Sequence, residues 1–205
     1  MNDTGSTRNA LLLAARGLFA EHGYDGTSVR AITQQAHANL GAVTYHFGSK
    51  EALYEAVAAS LADPFRERLT TAAAESGPPL ARLEALVRTM FDYLSEHPDV
   101  PRFMVQILAG SRPPPRALQE MLRANHTIIS QLIVEGQKDA SVRGGDPRLM
   151  ALSLVAQPIW MSVVRRLLRQ TIGIDQEDAA TRTELIDTAV RFVRAGLASQ
   201  PGQSG

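Results

Sequence analysis

The chain has 205 residues and a mass of 22.2 kDa, enough to bury a real core in one or two domains. Hydrophobic residues make up 44% and charged residues 20%, while 21 basic and 21 acidic side chains cancel. No global basic field marks a nucleic-acid partner, so any such surface must be local. There is no cysteine, which excludes disulfides, thiolate nucleophiles, cysteine-bound zinc and iron–sulfur clusters. The polar start, 1–7, does not read as a signal peptide. The longest charge-free apolar run, 149–164, is short for a bilayer and carries Ser153, Gln157, Pro158 and Ser162. A soluble cytoplasmic protein is the expectation.

Apolar residues recur at helical spacing almost throughout, with no alternating strand pattern and no Asn-Gly hairpin signal, so the expected fold is all-α. The first helix is predicted over 7–22, with Leu11, Leu12, Ala15, Leu18 and Phe19 on one face and Gly23 as its stop. Thr27 is expected to cap a short helix, 28–36, that turns Val29, Ile32 and Ala36 inward. His37-Ala38 forms a tight turn. Asn39 then caps a third helix, 40–47, with Val43 and Phe47 inward; Gly48 ends it and Ser49 caps a longer helix, 50–74. Ser76-Gly77-Pro78-Pro79 is a break, and helices follow at 80–97 and 100–109. The stretch from Gly110 to Pro115 reads as a stiff connector, because consecutive prolines hold the chain extended. A helix over 116–137 comes next. Asp146 then caps a helix running to about residue 170, with Pro147 at its first position. The last helix spans 178–198, making about nine, and the tail 199–205 is expected to be disordered.

The stretch 27–47 is the informative one. Two helices of under three turns are marginal in water by themselves, so packing must hold them. If their apolar residues share one core with the first helix, the outer face of the third is left free, and a small projecting helix fits the DNA major groove. The residues Gly26-Thr27-Ser28-Val29-Arg30-Ala31-Ile32, followed by Ala42-Val43-Thr44-Tyr45-His46-Phe47-Gly48-Ser49-Lys50-Glu51-Ala52-Leu53-Tyr54, resemble the N-terminal domain of TetR-family transcriptional regulators. The resemblance covers 7–57. It implies a DNA-binding helix-turn-helix domain, 1–50, and a ligand-binding and dimerisation domain, 51–205.

Three positions depart from the family pattern. His37 replaces the usual turn glycine, Leu40 stands where a polar or basic residue is common, and Thr44 where tyrosine is most frequent. The base-reading surface is therefore unusually apolar, with Leu40 and the Thr44 methyl expected against thymine methyls or sugar edges. Arg30 is the best candidate for a guanine, since its planar fork matches the base edge. Tyr45, His46 and Lys50 are assigned to phosphates, Thr27 and Ser28 to hydroxyl or amide contacts, Asn39 to capping with reach to a base, and Gly41 to close backbone approach.

The helix at 147–170 is apolar nearly all round, so it needs partners on every face. Leu152, Val155, Ile159, Val163 and Leu167 are expected in a two-fold four-helix interface with Ile186, Ala189, Val190, Val193 and Leu197 of the last helix. A homodimer presents two recognition helices to a palindromic operator. Candidate walls of an effector cavity are Met90 and Tyr93, then Phe103, Met104 and Ile107, then Met121, Asn125, His126 and Ile129, with Trp160. The expected partners are thus duplex DNA, a small apolar or amphipathic effector, and a second copy of the chain. The family resemblance implies a repressor released when effector stabilises a dimer unsuited to the operator, with the helix at 50–74 linking the domains.

Two other classes remain open. An enzyme would have to use a long-range cluster such as His97 with His126, since the five histidines form no HExxH pair and no phosphate loop, GxSxG or GxGxxG occurs. No cofactor and no metal is expected. The other class is a helical effector-binding or interaction protein without DNA binding, to which the apolar Leu40 and the zero net charge give some support.

Overall fold

The computed structural model describes residues 3–199. Those residues hold ten helices and no strand: α1 Asp3–His22, α2 Val29–Gln35, α3 Ala42–Phe47, α4 Lys50–Ala73, α5 Pro79–Glu96, α6 Asp99–Ala109, α7 Arg116–Lys138, α8 Pro147–Val163, α9 Arg165–Ile172 and α10 Ala179–Leu197. Val142 and Ala198 form one isolated antiparallel bridge. The end of the chain is held further than expected, because the Ser199 amide donates to the Ser141 carbonyl at 3.4 Å. The rest of the expected free tail, 200–205, lies outside the described residues.

Two compact units form. The first comprises the described residues up to Pro64 together with Pro98–Met121. The second comprises Phe65–His97 and the described residues from Leu122 onward.

In the first unit α1 is the axis. Leu11, Ala15 and Phe19 are fully buried on it, against Ile32 of α2 and Val43 of α3 in the same core. Each of these side chains larger than alanine contributes about 1.5–3 kcal/mol on leaving water. That packing holds α2 and α3, of seven and six residues, which would not persist alone. α6 lies along α1. The Arg16 guanidinium pairs with the Asp99 carboxylate, and Gln106 Nε2 donates to the Glu21 carbonyl at 3.2 Å. Gly23 ends α1 at φ +68°, a backbone conformation that glycine adopts without the strain a side chain would bring.

In the second unit α5 is central. It buries Leu83, Leu86, Val87, Met90, Phe91, Tyr93 and Leu94, and α8 and α10 pack on it. Ion pairs fasten α10 to α5: Arg194 grips Glu84 through both carboxylate oxygens at 2.6 and 2.7 Å, and Arg88 meets Asp187 at 2.7 Å. The single helix expected from 147 to 170 is two helices bent by 64°. The side chain of Gln176, itself buried, donates to the Met161 carbonyl at 3.0 Å. That carbonyl would otherwise receive the amide of Arg165, so the helical ladder is broken there.

Candidate nucleic-acid interface

Capping at the helix-turn-helix differs from expectation by one residue. Ser28, not Thr27, caps α2, its Oγ accepting from the Ala31 amide at 3.0 Å. Thr27 is only 2% exposed, and its hydroxyl faces the carbonyls of Gly23 at 2.7 Å and Leu18 at 3.1 Å. It locks the α1–α2 turn and is not free for a phosphate. α3 starts at Ala42 rather than 40, with Gly41 at its cap and no side-chain capping bond. Asn39 contributes its backbone carbonyl, which accepts from the Ala42 amide at 3.0 Å, while its side chain stays exposed. His37 occupies the left-handed region at φ 51°, the conformation that the usual glycine would adopt without a side-chain penalty.

Ala42 and Val43 are buried, and they turn the opposite face of α3 outward. Tyr45 is 78% and Leu40 63% exposed, with Thr44, Asn39 and Gly41 exposed beside them. The His46 ring is half-buried and stands edge-on to Tyr45, centroids 4.9 Å apart. Gly48 at φ 85° ends α3, its amide reaching the Thr44 carbonyl at 3.0 Å. On α2, Ser28 and Arg30 are exposed.

Lys50 opens α4 and is half-buried. Its ammonium donates to the Tyr24 carbonyl at 2.6 Å and lies 4.0 Å from the centre of the Tyr24 ring. Burial lowers its pKa, while Asp25 and Glu51 pull it back up. The Tyr24 hydroxyl donates to a Glu51 carboxylate oxygen. Burial and that hydrogen bond push Tyr24 up to about 12, and the same bond holds Glu51 below the usual carboxylate range. Phe19 and Tyr54 flank the Tyr24 ring at 6.0 and 5.1 Å. The spacing of α1 gave no sign of this seat, because Tyr24 lies in the turn after it.

Ion pairing separates the cations of the first unit into two groups. In the first unit Arg16 and Arg116 are spent on Asp99 and Glu120. Arg30 makes no ion pair among the described residues, nor does Arg8, whose guanidinium sits 4.9 Å over the Phe47 ring at the end of α3. The sequence gives no sign of the Arg8–Phe47 contact, since a helix-opening arginine reads as a solvated charge until the ring beneath it is known.

The residues expected around an effector fall in both units. Phe103, Met104, Ile107 and Met121 belong to the first; Met90, Tyr93, Asn125, His126, Ile129 and Trp160 belong to the second. Met90, Tyr93, Asn125 and Ile129 are buried. Asn125 is 6% exposed and its Oδ1 has no hydrogen-bond partner; the buried Ser130 hydroxyl also lacks one. His126 already has a partner, its Nε2 lying 3.1 Å from the Arg148 carbonyl. Trp160 stands apart from these buried residues. It is 62% exposed on α8 and lines, with Leu149, Ser153 and Phe192, an open groove of about 620 Å³.

The residues expected at a dimer interface divide by helix. On α8, Leu152 and Leu167 (the latter now on α9) are exposed, and Val155, Ile159 and Val163 are half-buried. On α10, Ile186, Ala189, Val190, Val193 and Leu197 are buried inside their own subunit. They form the seam toward α5, so the surface α10 leaves open is the face bearing Phe192.

A buried three-helix core that projects a short helix, in an all-helical set of described residues, has the architecture of a helix-turn-helix domain. Residues 11–57 match the family described as bacterial regulatory proteins, tetR family. The chain is 30% identical over 139 residues to the HTH-type transcriptional regulator UidR of Escherichia coli K12, covering 67% of this chain and 68% of UidR. It is 25% identical over 194 residues to the HTH-type transcriptional regulator RutR of the same strain, covering 93% of this chain and 90% of RutR. The fold is similar to that of AibR solved with isovaleryl coenzyme A and operator DNA, with a TM-score of 0.72 at 18% identity over 91% of this chain and 97% of AibR. The chain belongs to the tetR family of bacterial transcriptional regulators. Its relatives are regulators rather than enzymes.

Proposed function

We propose that the protein is a ligand-responsive repressor that binds a palindromic operator as a homodimer and leaves it when a small apolar or amphipathic effector binds. The observation that carries this reading is the outward face of α3 and the turn before it, where Thr44 and Tyr45, with Leu40 in the turn, stand exposed over a buried Ala42–Val43 seam. Functionally, 1–50 reads DNA, and 51–205 binds effector and dimerises. Arg30 contacts a base; Ser28, Tyr45, His46 and Lys50 contact phosphates; Leu40 and Thr44 offer methyl groups to thymine. Asn39 reaches a base or sugar by its free side chain, and Gly41 lets the backbone approach.

The homodimer reading rests on the apolar stripe of Leu149, Leu152 and Trp160 on α8, continued by Leu167 on α9, with Phe192 of α10 beside it. A surface of this make-up is unusual on a lone soluble chain. The effector reading rests on Asn125, a buried acceptor with no donor. An effector with an N–H or O–H group in an otherwise apolar body satisfies it. Among the described residues no single helix is long and apolar enough to cross a membrane, in keeping with a cytoplasmic site of action.

Effector can act only through its different affinity for free and operator-bound protein. The test is to hold the protein on a duplex recovered by selection and to titrate apolar acids, amines and acyl-coenzyme A esters, the last because AibR holds one. Release by one class, weakened by Asn125→Leu, supports the reading. Release by none of the classes, with every bound compound held equally by free and operator-bound protein, contradicts it.

A further inference from the structure

We propose that Arg112 is the second cation of the phosphate site centred on Lys50, so that the surface offered to duplex DNA extends past the helix-turn-helix to the connector after α6. This rests on the reading of Lys50 as a phosphate contact. The Arg112 guanidinium and the Lys50 ammonium each lie 4.0 Å from the centre of the same Tyr24 ring. Two like charges held against one ring raise the local positive potential, and the ring's π-electrons offset their repulsion. A guanidinium over a ring keeps its N–H edge free, and that edge matches a phosphate.

Arg112 is available for this. It is exposed and forms no ion pair among the described residues. It is also held in place before any DNA arrives. Pro113, Pro114 and Pro115 follow it and restrict the backbone. The Arg116 amide donates to the Glu55 carboxylate at 3.0 Å, and Gln119 Nε2 donates to the Pro114 carbonyl at 2.8 Å, which ties the end of the connector to α4 and α7. Less freedom is then lost on binding.

The local charge requires a second cation. Asp25 and Glu51 both act on Lys50, and Arg112 acts on Glu51 and Tyr24 in turn. One ammonium against two carboxylates makes a net negative patch, which repels a phosphate backbone. Arg112 restores the balance from the same ring that Lys50 lies against. Nothing in the helix-turn-helix motif marks it, since the two cations meet only through Tyr24.

The test uses the full chain and a mixed-sequence duplex, with Kd measured over a salt series. Lys50→Ala and Arg112→Gln should each flatten the dependence of log Kd on log salt by about one per bound subunit, and the double variant by about two. Arg112→Lys should keep most of the wild-type slope, and the melting temperature of Arg112→Gln should stay at the wild-type value. An unchanged slope in Arg112→Gln beside a flattened one in Lys50→Ala overturns the proposal and leaves the Lys50 reading intact. Weaker binding at unchanged slope overturns it as well, since it makes Arg112 a structural support. If neither variant changes the slope, the Lys50 reading fails and this proposal fails with it.

Discussion

The ammonium of Lys50 sits 2.6 Å from the carbonyl oxygen of Tyr24, so the first residue of α4 is fastened to the turn between α1 and α2. One of its three donors is used there, which aims the others. Lys50→Ala should therefore weaken binding on every duplex by a similar factor, with little change in sequence preference. The chain has one other lysine, Lys138, at the end of α7, so no second lysine takes its place, and Arg112 on the same ring is the cation left there. Binding measured on two unrelated duplexes decides this; a loss confined to one of them would reassign Lys50 to base reading.

His37 holds a left-handed backbone at φ 51° and is exposed. A side chain there costs about 1–2 kcal/mol, of which a glycine regains part after its own entropy cost of about 0.5–1 kcal/mol. His37→Gly should raise unfolding stability by about 0.5–1 kcal/mol. Denaturant unfolding reads this directly. A destabilised variant would mean that the imidazole makes a compensating contact.

Asp146 caps α8, accepting from the Arg148 amide at 2.9 Å and pairing with its guanidinium at 2.7 Å. Those bonds hold its pKa at about 2, below the ordinary 3.8. A depressed carboxylate stabilises the folded state above its unfolded pKa, and that contribution fades as pH falls through the folded value. Asp178, the cap of α10, is depressed in the same direction by its bonds to Thr181. Stability should fall between about pH 4 and 2. Asp146→Asn keeps a capping side chain but removes the titration, so its stability should change less over that window. Identical acid profiles for the variant and wild type would contradict this role.

Trp160 is the single tryptophan and stands on the outer stripe of α8. In a homodimer built on that stripe its emission should shift to the red on dilution, as the subunits part and water reaches the ring. Trp160→Asp should sediment as a monomer at concentrations where wild type is a dimer. Wild-type protein that stays a single chain at micromolar concentration would remove the dimer from the account.

Much of this was legible in the chain because helical periodicity reports burial. The seam of Leu11, Ala15 and Phe19, the inward Ile32 and Val43, and the stops at Gly23 and Gly48 all follow from spacing and from glycine's tolerance of positive φ. What escaped depends on contacts between distant residues or on choices between equals. Thr27 and Ser28 are adjacent hydroxyls, and only the fold shows which one caps. The bend after α8 needs Gln176 to reach Met161. Spacing alone does not tell whether the strongest stripe on α10 faces a second copy or the subunit's own core; it serves the core, and Phe192 is left exposed opposite it. Arg112 reaches Lys50 through a ring that belongs to neither helix.

The most direct measurement is selection of bound sequences from random duplexes by the purified full chain, repeated with Arg30→Ala and Tyr45→Ala. The account expects a two-fold symmetric site whose half-site centres lie about one helical turn, or a multiple of it, apart. Arg30→Ala should cost about 1–3 kcal/mol on that site and relax the base preference at one position in each half. Tyr45→Ala should weaken binding without relaxing any position. Recovery of no common sequence, with all three proteins retaining duplexes equally, would contradict the claim that the open face of α3 reads DNA.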